Sequence, residues 1–114
     1  MVLEISTIHG TTVITLTRRF DTDSAPLIDN ELKPVLKQHP ERVLFDFSKT
    51  EYISSAGIRV LLKATHAIKD SGGTIAFSSL CDQVEYILEI AGFTKVFTIY
   101  KTREKALKHL NRKE

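Results

Sequence analysis

The strongest constraint on the fold is a short apolar run near the middle of the chain, RVLFDF at residues 42–47. A run of this length without polar alternation is typical of a strand that is buried on both faces. Such strands occur in parallel sheets, because the connections between parallel strands place helices over the sheet. The run therefore predicts an α/β fold in which this strand lies at the centre of the sheet.

The other strands are predicted from short segments that are rich in β-branched residues and bounded by turn residues. They cover residues 2–8, 12–17, 74–77 and 96–100. His9 and Gly10 separate the first two segments, which indicates an antiparallel hairpin. Each later strand follows a helix, so these strands should be parallel and joined by right-handed crossovers.

Four helices are predicted from apolar residues that recur at helical spacing. They begin near residue 24, at residue 54 or 55, at residue 82 and after residue 102. Asp23 or Ser24 can cap the first helix, Pro26 lies in its first turn, and we expect Pro34 to bend or shorten it. Gly92 should end the third helix in the left-handed conformation. The order β-β-α-β-α-β-α-β-α predicts a mixed, mostly parallel sheet with helices packed on it.

Length and charge narrow the possible functions. The 114 residues suffice for one domain, residues 1–114, with a single core. Sixteen basic and 14 acidic residues leave a net charge of only +2, which argues against nucleic acid as a direct partner. No segment approaches the roughly 20 apolar residues of a membrane span, and the first residues, MVLEISTIHG, have neither the basic flank nor the apolar core of a signal peptide. We therefore expect a cytoplasmic protein that does not contact a membrane.

The single cysteine, Cys81, has no internal disulfide partner and fits a reducing compartment. We expect its side chain to be buried as a small hydrophobic residue. Asp21 and Asp23 are too few to indicate a metal site, and we predict neither a metal nor a cofactor.

Two adjacent serines, Ser54 and Ser55, stand where the second helix begins, in the segment EYISSAGIRVLL. Serine is favoured at this position because its hydroxyl accepts an unpaired backbone N–H of the first turn. Ser54 is the better candidate for this cap, although local geometry alone is compatible with two capping serines. Ser55 begins a polar stripe that continues through Arg59, Lys63, His66 and Asp70, and Leu61 belongs to the opposite, apolar stripe.

A nucleophilic serine is the alternative function for this segment. His66 shares the face of Ser55 but lies eleven residues further on. At about 1.5 Å per residue the two side chains are roughly 16 Å apart, which is too far for proton transfer. The segment also lacks a G-x-S-x-G elbow, although His9, His39 or His109 could approach through the tertiary fold. We therefore predict a protein that is not an enzyme.

The run VLFDFSKTEYISSAGIRVLL at residues 43–62 resembles the signature of the STAS domain, the fold of bacterial anti-sigma factor antagonists. Phe20 and Asp21 resemble the G-x-[LF]-D element of that family. The segments at residues 72–73 and 90–93 resemble further landmarks of that family. Two positions differ from the family pattern, since Ser54 replaces the aspartate of the D-S-[SAT]-G-[LI] turn and Arg18 replaces the first glycine of G-x-[LF]-D.

The resemblance implies a phosphorylation switch. In the family, the serine that follows the aspartate is phosphorylated by a kinase that doubles as an anti-sigma factor, and the matching residue here is Ser55. The unmodified protein would bind this serine kinase, which has the histidine-kinase-like ATPase fold, and free a sigma factor. A phosphatase would reset the cycle. The implied partner-binding residues are Asp21, Ser24, Ser54, Ser55, Ala56, Gly57 and Arg59.

A second function fits the same resemblance. The chain could be a STAS scaffold or regulatory module that binds another protein or a small ligand without being phosphorylated. The replacement of the family aspartate by Ser54 favours this alternative.

Overall fold

The chain forms seven strands and four helices within residues 2–111, the part that the computed structural model describes. The strands are β1 (Glu4–Ile8), β2 (Thr11–Thr15), β3 (Arg19–Phe20), β4 (Arg42–Asp46), β5 (Tyr52–Ile53), β6 (Thr74–Ser78) and β7 (Ile99–Tyr100). The helices are α1 (Ala25–Lys37), α2 (Ser55–Asp70), α3 (Asp82–Ile90) and α4 (Arg103–Leu110). Within these residues no helix combines the length and the apolar character that crossing a membrane would require.

The main sheet has the strand order β1-β2-β4-β6-β7, so the apolar run forms its central strand as predicted. β1 pairs with β2 in antiparallel orientation, and the other three pairings are parallel. Val43, Leu44 and Phe45 of β4 are completely buried. The predicted mixed, mostly parallel sheet is therefore confirmed, with the parallel strands flanked by one antiparallel edge strand.

Successive residues of each strand point to opposite faces of this sheet, and helices cover both faces. Val43 and Phe45 lie in the larger core, which they share with buried residues of α1, α2 and α3. Leu44 points the other way, into a smaller core with Ala106 and Leu110 of α4. The first three helices thus lie on one face and α4 alone lies on the other.

Two turns follow the predictions closely. His9 and Gly10 join β1 to β2, and both adopt positive φ, at 49° and 80°. Gly92 follows α3 with φ at 83°, and the N–H of Phe93 donates to the Leu88 carbonyl at 2.8 Å. This left-handed glycine ends the helix because no side chain has to be fitted there.

Two expectations need correction in detail. α1 continues through Pro34 to Lys37, so this proline does not shorten the helix. The buried residues Ile28 and Leu32 hold the preceding turns against the core, and this packing outweighs the lost backbone hydrogen bond. The last strand is confined to Ile99–Tyr100, because residues 94–96 form a turn and residue 97 lies in a bend.

A second, two-stranded sheet was not anticipated as a unit. β3 and β5 pair in parallel, with Arg19 opposite Tyr52 and Phe20 opposite Ile53. The Glu51 N–H extends this pairing by donating to the Arg18 carbonyl at 2.7 Å. The small sheet brings the segment before α1 beside the segment before α2, and this position defines the candidate site.

Candidate functional site

The two adjacent serines occupy different positions at the start of α2. Ser54 is the N-cap, with extended backbone at φ −103° and ψ 173°, and its hydroxyl accepts the Gly57 N–H at 3.4 Å. Ser55 is the first helical residue and is exposed. The expected assignment of the cap to Ser54 and of the outward position to Ser55 is confirmed, and the Ser55 hydroxyl is free to face a partner.

The start of α2 is packed tightly against β3. The Ser54 N–H donates to the Phe20 carbonyl at 2.9 Å. Gly57 is buried, and a Cβ atom there would lie only 2.7 Å from the same carbonyl oxygen. Glycine is therefore required for the close approach of helix and strand. Gly57, predicted to contact partners, contributes to the site by this packing.

Asp21 and Ser24 form a compact turn beside the serines. Asp21 Oδ1 accepts the backbone N–H groups of Asp23 and Ser24, each at 3.1 Å. The Ser24 hydroxyl donates to the Arg19 carbonyl at 2.8 Å and makes no capping hydrogen bond to α1. Asp21 and Ser24 thus both stabilise the turn preceding this helix, since the Ser24 hydroxyl also accepts the Asp21 N–H at 3.0 Å.

These hydrogen bonds also determine the ionisation of Asp21. The bond from the Ser24 N–H lowers the pKa of its carboxyl the most, partial burial raises the pKa, and the bonds from Arg19 and Asp23 lower it further, so that the pKa lies below its ordinary value. Arg19 donates through Nε to Asp21 Oδ2 at 3.3 Å, and its guanidinium stacks over the Tyr52 ring at 4.7 Å. The carboxylate is therefore anionic at neutral pH and held in a fixed orientation.

Arg59 is the available cation of the site. It is exposed, it lies one turn beyond Ser55, and it forms no ion pair within residues 2–111. Lys63, the next basic residue of the stripe, is paired with Asp29 at 3.2 Å. The predicted polar and apolar stripes of α2 are both confirmed, since Arg59 is exposed whereas Leu61 is completely buried.

A shallow groove runs beside Arg59 between α1 and α2. Its volume is about 420 Å³, and its walls include Ala25, Pro26, Ala56 and Val60. Ala56 thus reaches the surface beside Ser55, as its predicted role requires. We refer to Asp21, Ser24, Ser54, Ser55, Ala56 and Arg59 as the serine surface.

Cys81 differs from the expectation. Its side chain is exposed, and it precedes α3 as the N-cap residue without accepting a capping hydrogen bond. Its Sγ lies 3.4 Å from the Thr50 carbonyl oxygen. Val84 and Leu88 supply the buried side of α3, and this leaves Cys81 outside the core.

Sequence reasoning missed the contribution of β3. Arg19 had no recognised role, yet it connects the Asp21 turn, the Ser24 hydroxyl and the Tyr52 ring. A two-residue strand gives no periodic signal, because alternation needs a longer segment to be recognised. The β-type residues Tyr52 and Ile53 before the serines were the only available indication of this pairing.

Comparison with known proteins gives a consistent result. A family model for the STAS domain matches residues 2–106. Over 106 residues the chain is 29% identical to BtrV of Bordetella bronchiseptica, named as a candidate anti-sigma factor antagonist, and the match covers 93% of this chain and 91% of that protein. A structure described as a candidate anti-sigma factor antagonist from Thermotoga maritima has a TM-score of 0.90 at 20% identity, covering 96% of this chain and 95% of that one.

Two structures of the anti-sigma factor antagonist SpoIIAA share the same fold. The unphosphorylated form has a TM-score of 0.78 at 16% identity, covering 94% of each chain. The phosphorylated form, from Bacillus, has a TM-score of 0.71 at 14% identity, covering 96% of this chain and 99% of that one.

Proposed function

Because this chain belongs to the STAS domain family, we propose that it is an anti-sigma factor antagonist, a regulatory protein that acts by binding and not by catalysis. The names of BtrV and SpoIIAA support this function. The partner is a serine kinase of the histidine-kinase-like ATPase fold that doubles as an anti-sigma factor. The unmodified protein binds this kinase in the cytoplasm and frees a sigma factor.

The observation that carries the proposal is the division of roles between the two serines. Ser54 is engaged as the helix cap, whereas Ser55 is exposed at the first position of α2. A kinase needs a hydroxyl that can enter its active site without unfolding the substrate, and Ser55 meets this requirement. Serine and aspartate accept the same backbone N–H at an N-cap, so Ser54 can replace the aspartate of the family pattern.

The electrostatics of the site support a phosphate at Ser55. The unpaired N–H groups and the dipole of α2 favour negative charge at its first turn. Arg59 lies one turn further on and forms no ion pair within residues 2–111, so its guanidinium can approach the phosphate. The folded chain can therefore accommodate the modification.

A partner that is packed on the serine surface cannot accommodate the phosphate. Phosphorylation adds about −1.5 to −2 charges and three acceptor oxygens. Burying this group against a surface that was formed for a neutral hydroxyl leaves the charge without water or a counter-ion. Phosphorylation thus releases the partner, and a phosphatase restores binding by removing the phosphate.

The test is a labelling experiment with two neighbouring variants. The protein is incubated with its candidate kinase and ATP, and the phosphate is mapped by mass spectrometry. Ser55→Ala should abolish labelling, whereas Ser54→Ala should keep it and lose about 0.5–2 kcal/mol of stability with the cap. Labelling that survives Ser55→Ala and disappears in Ser54→Ala would refute the assignment of the acceptor.

The alternative function is a STAS module that binds its partner without phosphorylation. The observation that favours it is Ser54, which replaces the family aspartate within the turn that a kinase would have to recognise. This module would bind its partner with the same affinity before and after incubation with kinase and ATP. A wild-type protein that is neither labelled by the kinase nor bound to the anti-sigma factor would favour this alternative.

A further inference from the structure

Unpaired acidic charge is concentrated on the outer face of α3. Asp82, Glu85 and Glu89 are all exposed, and the last turn of the helix has no basic residue. Within residues 2–111 none of the three carboxylates joins an ion pair, unlike Glu4, which pairs with Lys49, or Asp29, which pairs with Lys63. The helix therefore presents an uncompensated acidic face to the surroundings.

The same face carries two large apolar side chains. Tyr86 is 61% exposed and Ile90 is 68% exposed. They are four residues apart and therefore adjacent on the helix surface, with Glu89 beside them. Single exposed apolar residues are ordinary, but an apolar pair bordered by carboxylates has the composition of a protein-binding surface.

A basic helix lies on the other side of the same sheet edge. α4 packs on the opposite face of the sheet through Ala106 and Leu110. Lys105 and Lys108 are exposed on its outer side, and neither forms an ion pair within residues 2–111. Glu104 is the one acidic residue of the helix, so basic charge dominates its outer side.

The two helices lie on either side of the edge strand β7, which within residues 2–111 pairs with β6 alone. A cleft of about 580 Å³ lies between α3 and the segment that leads into α4, and its lining includes Asp82, Glu85, Tyr100 and Lys101. Asp82 and Glu85 of the acidic helix thus line the same cleft as Lys101, which precedes the basic helix. One edge of this domain combines an acidic and a basic surface.

We propose that this edge is the interface of a symmetric dimer, in which acidic α3 of one copy packs against basic α4 of a second copy of this chain. A two-fold axis parallel to β7 exchanges the two faces of the sheet. It therefore brings α3 against α4 of the partner at two equivalent places in the dimer. Tyr86 and Ile90 would be covered by the lysine stems of the opposing α4, with an ammonium group over the Tyr86 ring.

This inference is independent of the proposed switch. Dimerisation uses α3, α4 and β7, whereas the switch uses the serine surface at the start of α2. Neither the kinase nor a phosphate is needed to observe the dimer, so the failure of one proposal leaves the other intact.

The test exploits the two-fold symmetry through charge reversal and mixing. Sedimentation equilibrium of the wild type, over a concentration series that reaches the millimolar range, should show a dimer that dissociates as salt is added. The α3 variant, Glu85→Lys with Glu89→Lys, and the α4 variant, Lys105→Glu with Lys108→Glu, should each weaken dimerisation by about tenfold or more. Mixing the two variants should restore the dimer, because opposite charges then face each other at both contacts.

The control is Asp23→Lys with Asp70→Lys, which makes the same change in net charge as the α3 variant at exposed positions away from the edge. This control should dimerise like the wild type. A wild type that stays monomeric throughout would overturn the proposal and would leave α3 as a face for a basic partner protein. Reversals that weaken the dimer without recovery on mixing would also overturn it, because α3 would then not contact α4.

Discussion

Two chemically identical side chains at the start of α2 differ in what they can do because their backbones differ. Ser54 has extended backbone, which turns its hydroxyl back toward the Gly57 N–H. Ser55 is the first helical residue of α2, and its side chain begins the exposed stripe. The Ser54 hydroxyl is therefore structural, whereas the Ser55 hydroxyl, one residue further on, is accessible to a kinase.

At the residue scale, Gly57 is the position where the site is most sensitive to added volume. Gly57→Ala places a Cβ about 2.7 Å from the backbone oxygen of Phe20, which cannot rotate away. We expect a loss of about 1–3 kcal/mol, the usual cost of overpacking. Urea denaturation measures this loss, and Ser55→Ala in the same helical turn serves as the control that should leave the midpoint unchanged. A Gly57→Ala midpoint equal to that of wild type would show that α2 can move away from β3.

The same contacts determine which substitutions can report on partner binding. Asp21 and Ser24 are bonded to the backbone of their own turn, so replacing either disturbs the turn as well as the surface. Arg59 is exposed and forms no ion pair within residues 2–111. A substitution of Arg59 therefore gives the cleaner measure of what a partner contacts.

At the scale of elements, an ion pair fixes α4 to the central strand. Asp46, at the end of β4, is 2% exposed and accepts from Arg103 at 2.5 Å and 3.2 Å. Its Oδ1 accepts the Ser48 N–H at 2.9 Å. Burial raises the pKa of Asp46, but the hydrogen bonds from Arg103 and Ser48 outweigh this effect and hold the pKa below its ordinary value of 3.8.

This arrangement predicts a pH-dependent contribution to stability. A carboxyl whose pKa is lower in the folded than in the unfolded chain stabilises the fold above its ordinary pKa, and the contribution is lost as the pH falls through the folded value. Asp46→Asn should cost about 1.5–3 kcal/mol at pH 7, the usual value for hydrogen bonds to a charged group. The difference from wild type should shrink as the pH falls below 3.8.

Urea denaturation at a series of pH values measures this difference, and Asp70→Asn is the matched control. Asp70 is exposed and forms no ion pair within residues 2–111, so its substitution should have little effect at any pH. An Asp46→Asn deficit that stays constant into the acidic range would show that the pair contributes by packing and not by charge.

The elements also show how far the sequence predicts this structure. The central strand and α2 were predictable because burial on both faces and a helical stripe each leave a repeated signal over many residues. β3 and β5 are two residues long and are held together by pairing between distant segments, which no local pattern encodes. The exposure of Cys81 could not be predicted either, because it depends on which side of α3 meets the sheet.

At the scale of the whole molecule, the serine surface lies on a rigid scaffold. A chemical change at this surface does not easily deform the scaffold. α2 is fixed along its length by Leu61 and other buried residues, and its start is locked to β3 through the Phe20 carbonyl. Interiors packed in this way resist continuous deformation. A charge added at Ser55 should therefore affect a partner through the local surface and not through a rearrangement of the fold.

The last prediction compares three forms of the protein for binding and for stability. The phosphoprotein should keep its circular dichroism and melt close to the unmodified form, because the helix N-terminus and Arg59 accommodate the anion. Its affinity for the kinase should fall about 10- to 150-fold, which corresponds to about 1.4–3 kcal/mol at a packed interface. Ser55→Asp, with one charge and fewer acceptor oxygens, should reproduce only part of this loss. Calorimetric titration of the partner measures the three affinities, and melting curves of the same samples measure stability. Equal affinities for all three forms would exclude the switch, whereas weakened binding accompanied by unfolding would show that the phosphate acts on the fold instead of the surface.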